Sequence, residues 1–182
     1  PRRQELCVNN LQKLSDQTSD GLRKAFIQCA AIETFWLWDK YKEDKKKDAG
    51  GGEESPDVAA QNQLESGTIP DDFKRIMYYT YGDYRDLCLD KNIGNDVRDV
   101  ENNINKVLPN NSAKSANGHS RQEWWKKYAE DIWKGMLCAL SYDTTNKNMI
   151  EHVRPQLTST YNYDTIKNNL EDFATRPQFL RW

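Results

Sequence analysis

Residues 22–47, LRKAFIQCAAIETFWLWDKYKEDKKK, run for twenty-six positions without a glycine or a proline. No strand of ordinary length absorbs such a segment, and Leu22, Phe26, Cys29, Ile32 and Trp36 recur at helical spacing. A long helix with one apolar stripe is therefore predicted, and it must bury that stripe against other helices. Ser19 or Asp20 can cap its first turn. The lysine run at its end, Lys45–Lys47, favours the negative pole of the macrodipole.

Other segments repeat the pattern. In 69–89, IPDDFKRIMYYTYGDYRDLCL, Pro70 suits a helix start, and Asp71 and Asp72 suit its first turn. Phe73, Met77, Tyr81, Tyr84 and Cys88 make its stripe, and Gly82 inside it marks a place for close packing by another helix. Val97, Val100, Ile104 and Val107 predict a further helix. Ser120 and Glu123 form a capping box that opens 121–140, RQEWWKKYAEDIWKGMLCAL, where Trp125, Tyr128, Ile132 and Met136 share a face beside Ala129 and Trp133. This helix reads as core, with Trp36 and Trp38 packing against it. Trp124 leaves the stripe and is the candidate for an exposed aromatic anchor.

The weaker elements are a short helix within 3–15, a helical turn near Ala59–Leu64, and a C-terminal helix capped by Asn169. Beyond Pro177, Phe179, Leu180 and Trp182 are expected to pack. Residues 149–168 are polar and weakly patterned, and no β-alternation is evident. The fold class is all-α, a bundle of long helices with irregular loops.

Charge and motif content narrow the function. The net charge of −2 argues against a nucleic-acid binder. No apolar run is long enough to span a membrane. The chain begins at Pro1 without a methionine and ends at Trp182, and is read as a segment of a longer chain. No phosphate-binding, nucleophile-elbow or zinc-protease motif occurs, so neither an enzyme nor a cofactor is expected. His119 and His152 have no nucleophile partner and no zinc-ligand spacing to a cysteine, so no metal site is expected.

The four cysteines, Cys7, Cys29, Cys88 and Cys138, are even in number, which suits disulfides in an oxidising setting; buried free thiols are the alternative. Cys29 and Cys88 both lie on apolar stripes, so a bond between their helices is natural, leaving Cys7 for Cys138.

The segments PRRQELCVNNL, LRKAFIQCAAIETFWLWDKYK, IPDDFKRIMYYTYGDYRDLCL, RQEWWKKYAEDIWKGMLCAL and LEDFATRPQFLRW follow one another in order. Together they resemble the Duffy-binding-like (DBL) domains of the variant erythrocyte membrane protein family of malaria parasites, nearest the beta or gamma types. The resemblance implies one helical region over 1–182, mainly the middle subdomain, ending before a third, cysteine-rich one. It implies an adhesion module on the extracellular face of the infected cell, attached to the membrane only through a single-pass parent protein. Its implied partner is a host cell-surface receptor protein; sulfated glycans, serum proteins or antibodies are further partners of such domains. Lys45–Lys47 with Lys126 and Lys127 motivate the glycan reading. The family's binding residues are not shared motifs, so the partner-binding residues stay unassigned.

Overall fold

The axis of the fold is α2 (Ser19–Lys47), whose twenty-nine residues span about 43 Å at 1.5 Å each. In the computed structural model, which describes residues 6–48, 55–91, 94, 97–109 and 120–181, it is flanked by α1 (Asn9–Gln12), α3 (Pro56–Glu65), α4 (Asp71–Cys88), α5 (Arg98–Val107), α6 (Arg121–Ala139), α7 (Val153–Thr160) and α8 (Tyr163–Thr175). A 3-10 turn, Gln178–Leu180, follows. Among the described residues there is no strand, only one isolated bridge between Tyr142 and Met149. The all-α expectation is met.

Helices α2 and α6 run parallel. The Trp124 indole N–H donates to Ser19 Oγ at 3.0 Å near their starts. Further along, a β-carbon on Gly135 would stand 2.8 Å from Ile27 Cγ2, so the glycine lets the two backbones close. Helix α4 runs antiparallel to both. Near its start Phe73 meets Trp38 and Tyr41 of α2, and near its end Tyr84 meets Phe26. Tyr81 packs edge-on against Trp125 and Trp133 of α6. The centre is thus an aromatic lattice joining three helices. Each such ring contact adds about 0.5–1.5 kcal/mol beyond area burial.

Several polar groups of this core bind partners across the bundle, while Trp125 Nε1 is buried without a hydrogen bond. Trp133 Nε1 donates to Tyr161 O at 2.8 Å. Arg121, inside the capping box of α6, donates to Leu108 O, Cys88 O and Asn105 Oδ1, joining the ends of α4 and α5 to the start of α6. Arg181 lies fully buried between α4 and α8.

Several local expectations change. Thr18, not Ser19 or Asp20, caps α2: its Oγ1 accepts from the Gly21 N–H at 3.0 Å. The first helix shrinks to one turn, and the turn near Ala59 grows into α3, opened by Pro56. Asn162 rather than Asn169 caps α8, which therefore begins seven residues earlier. Helix α7 lies in the weakly patterned segment. Only Val153 and Leu157 are buried in it, and Pro155 sits in its first turn, where a missing N–H costs nothing.

The C-terminus reverses expectation. Phe179 and Leu180 are exposed, and the residue that packs is Arg181; Trp182 lies outside the described residues. Gly82 admits the Arg181 guanidinium, not a helix backbone. Among the described residues no helix is long and apolar enough to cross a membrane.

Candidate functional site

Four cysteines, two lysine groups and three tryptophans are the residues that the sequence singles out. The four cysteines are free thiols, so neither the Cys29–Cys88 nor the Cys7–Cys138 link is formed. The sulfur that meets Cys29 belongs to Cys7. The Cys29 S–H donates to the Cys7 sulfur, which draws the Cys7 thiol down to about 7. Donating that same bond, with burial, pushes the Cys29 thiol well up. The segment before α1 crosses α2 at this level, held by the Cys7 N–H on Glu33 Oε2 at 2.9 Å and by Tyr84 Oη donating to Cys7 O at 2.7 Å. A shared apolar stripe says which helices face each other; the height at which a crossing segment meets them is a tertiary matter.

Cys88 lies against the first residue of α6, its Sγ 3.9 Å from Arg121 O, and burial pushes its thiol up to about 12. Cys138 is near the other end of α6. Seventeen residues of helix, about 25 Å, separate these two levels.

The lysines do not form one patch. Lys45–Lys47 occupy the last turn of α2, whereas Lys126 and Lys127 follow Trp124, which bonds to Ser19 in its first turn. The two groups sit at opposite ends of α2, on the order of 40 Å apart. Lys45 pairs with Asp72 at 2.9 Å and Lys47 with Asp44 at 3.6 Å. His152 is the residue before α7 and makes no capping bond; His119 lies outside the described residues.

Trp124 is fully buried, so it is scaffold and no exposed anchor. The exposed indole belongs to α2 instead. Of the expected stripe, Leu22, Phe26 and Cys29 are buried, but Ile32 and Trp36 are 40% and 52% exposed. Beyond Cys29 the buried face passes through Ala30, Thr34 and Trp38. Trp38 packs on Phe73 of α4, stacks on Tyr41, and donates its indole N–H to Gln61 Oε1 of α3.

Beside Trp36 stands a tight hairpin, residues 142–149. Asp143 Oδ1 accepts the N–H groups of Thr145 and Asn146 at 2.7 and 3.0 Å, which holds its carboxyl below the usual range. The Asp143 N–H donates to Asn148 O and the Lys147 N–H to Asp143 O. Lys42 Nζ ties the hairpin to α2 through Thr144 Oγ1 at 3.0 Å. The result sets the Lys147 ammonium over the Trp36 ring, 5.6 Å from its centroid. On the ring's other contact, Phe35 stands edge-on at 5.1 Å.

A family model for the Duffy binding domain matches residues 1–181. The chain belongs to the Duffy binding domain family. Members of this family are adhesion modules that bind receptors, and the all-α architecture accords with a helical DBL domain. No curated protein and no solved structure matches the chain. Among the described residues the DBL chain's indoles divide into two sets: those of Trp38, Trp124, Trp125 and Trp133 build the bundle, and that of Trp36 is held at its surface.

Proposed function

We propose that this DBL chain is an adhesion module that binds a host receptor protein at the extracellular face of the infected cell, as part of the ectodomain of a single-pass parent protein. In this reading residues 1–182 form one helical region, mainly the middle subdomain of a DBL domain. The observation that carries it is the family match over 1–181. Binding of a protein partner, not catalysis, follows from the family's nature.

The glycan alternative has less behind it. A sulfated chain needs several unpaired cations in one track, and the lysine groups here are divided between the ends of α2, two of the lysines already paired with carboxylates. Surface plasmon resonance separates the readings. The chain and a longer DBL domain containing it are passed over host receptor ectodomains and over heparin. Saturable receptor binding that survives high salt is the expected result. Binding to heparin alone, collapsing with salt, would replace this reading with the glycan one. Receptor binding by the longer domain alone would place the contact surface outside this chain.

A further inference from the structure

Two exposed apolar side chains of α2 and one cation share a face that the core does not use, and a third apolar side chain stands at the end of the adjoining hairpin. Ile32 and Trp36 stand one helical turn apart on α2. Met149, 40% exposed, ends the hairpin that carries Lys147 onto the indole. Apolar residues scattered singly on a surface carry no meaning. These are grouped and held: Phe35 braces the Trp36 ring, and the Asp143 bonds and the Lys42–Thr144 tie fix the hairpin. A group ordered in advance loses little conformational freedom when a partner covers it.

Lys147 makes the face chemically specific. Its φ of 61° lies in the left-handed region, where glycine rests freely and a lysine costs about 1–2 kcal/mol. Strain of this kind persists only where the surrounding structure over-determines it, as the hairpin's bonds to Asp143 do here. Lys40, Lys45 and Lys47 are each bonded to an aspartate. Among the described residues no carboxylate pairs with Lys147, whose ammonium faces the indole.

We propose that Ile32, Trp36, Met149 and Lys147 form a docking surface for a protein segment of complementary character, with apolar side chains seated on Trp36 and Ile32 and a carboxylate on Lys147. This rests on the receptor-binding reading and assigns it a surface and a partner chemistry. Charge complementarity selects the partner: one exposed cation beside an apolar platform matches an acidic, apolar protein segment, whereas a polysulfated chain would leave the indole and the isoleucine uncovered.

The test measures surface plasmon resonance of the chain over a panel of purified extracellular domains of host endothelial and red-cell surface proteins. Wild type, Trp36→Ala, Lys147→Glu, Lys147→Gly and the distant Lys126→Glu are compared. The expected result is saturable wild-type binding to a panel member, weakened about tenfold or more by Trp36→Ala and by Lys147→Glu and unchanged by Lys126→Glu. Lys147→Gly should raise the melting temperature while losing affinity, a divergence that a purely structural lysine would not produce. Wild-type affinity in Trp36→Ala and Lys147→Glu for the same panel member would overturn this surface and leave the receptor reading standing. No saturable binding to any panel member by wild type or by the longer domain would overturn the receptor reading and this surface with it; binding by the longer domain alone would overturn this surface only. A wild-type dimer in sedimentation that Trp36→Ala converts to monomer would show a second copy as the occupant and refute the proposal.

Discussion

The guanidinium of Arg181 rests against the bare backbone of Gly82: a β-carbon there would stand 3.0 Å from Nη1 and 3.1 Å from Cζ. Around this notch, Arg181 Nη2 pairs with Asp86 at 2.8 Å and donates to Ala174 O, Nε donates to Arg176 O, and Nη1 lies 3.6 Å from Asp83 Oδ1. Tyr79 donates its hydroxyl to Arg181 O. One buried cation thereby ties the chain's last described residues to the middle of α4.

Substitutions in this lock should couple. Arg181→Ala removes the buried cation that pairs with Asp86 and is expected to cost about 3 kcal/mol. Gly82→Ala alone gains about 1 kcal/mol of helix propensity but crowds a guanidinium held by several bonds, and is expected to be net destabilising. In the Arg181→Ala background the same glycine change should turn stabilising by about 1 kcal/mol, because the obstacle is gone. Urea denaturation of the four proteins checks the cycle; additive effects would sink it.

The pH dependence of the lock has a definite sign. Burial raises the Asp86 carboxyl above its ordinary value, and the attraction of Arg181 offsets only part of this. The folded state thus holds that proton more tightly than the unfolded state. The stability Asp86 contributes is fully present below the unfolded value of about 3.9 and is lost as pH rises through the raised folded value. Asp86→Asn removes the titration, so its stability relative to wild type should improve as pH rises across that window. Denaturation midpoints from acid to neutral pH test this; a difference that stays flat would contradict the assignment.

Cys7 and Cys29 should respond as a pair. Alkylation of Cys7 by iodoacetamide is expected to rise with a midpoint near pH 7, set by the Cys29 S–H bond. In Cys29→Ala that midpoint should climb toward the ordinary thiol value. With oxidised glutathione, the two thiols should give up two protons and two electrons and join, reducing the glutathione disulfide. Non-reducing peptide mapping should then find Cys7–Cys29. Recovery of Cys29–Cys88 instead would mean that the α1 crossing is misplaced.

Two indoles give the sharpest contrast in stability. Trp124 is enclosed by Phe26, Tyr128 and the Ser19 bond, so Trp124→Ala should cost about 3–5 kcal/mol. Trp36→Ala removes an exposed ring and should change stability by no more than about 0.5 kcal/mol. Thermal melts of both variants decide the matter; equal losses would mean that Trp36 belongs to the core.

Helical class, the positions of α2, α4, α5 and α6, the capping box at Ser120 and the whole α4 stripe were legible in the sequence, because each rests on contacts within four residues along one helix. Family membership was legible for the same reason: the ordered helical segments carry it. The candidate surface was not. At 3.6 residues per turn, Ile32 and Trp36 continue the stripe of Phe26 and Cys29, yet on a helix twenty-nine residues long such a stripe drifts past the neighbours available to cover it. Where α6 and α4 end, and where the 142–149 hairpin folds back, decides which turn of α2 is covered. The partner of Cys29, the burial of Arg181 in the Gly82 notch and the placing of Lys147 on Trp36 all join residues more than twenty positions apart. Periodicity along one chain determines which side of a helix is apolar; only packing between chains of elements determines how far along that side the core extends.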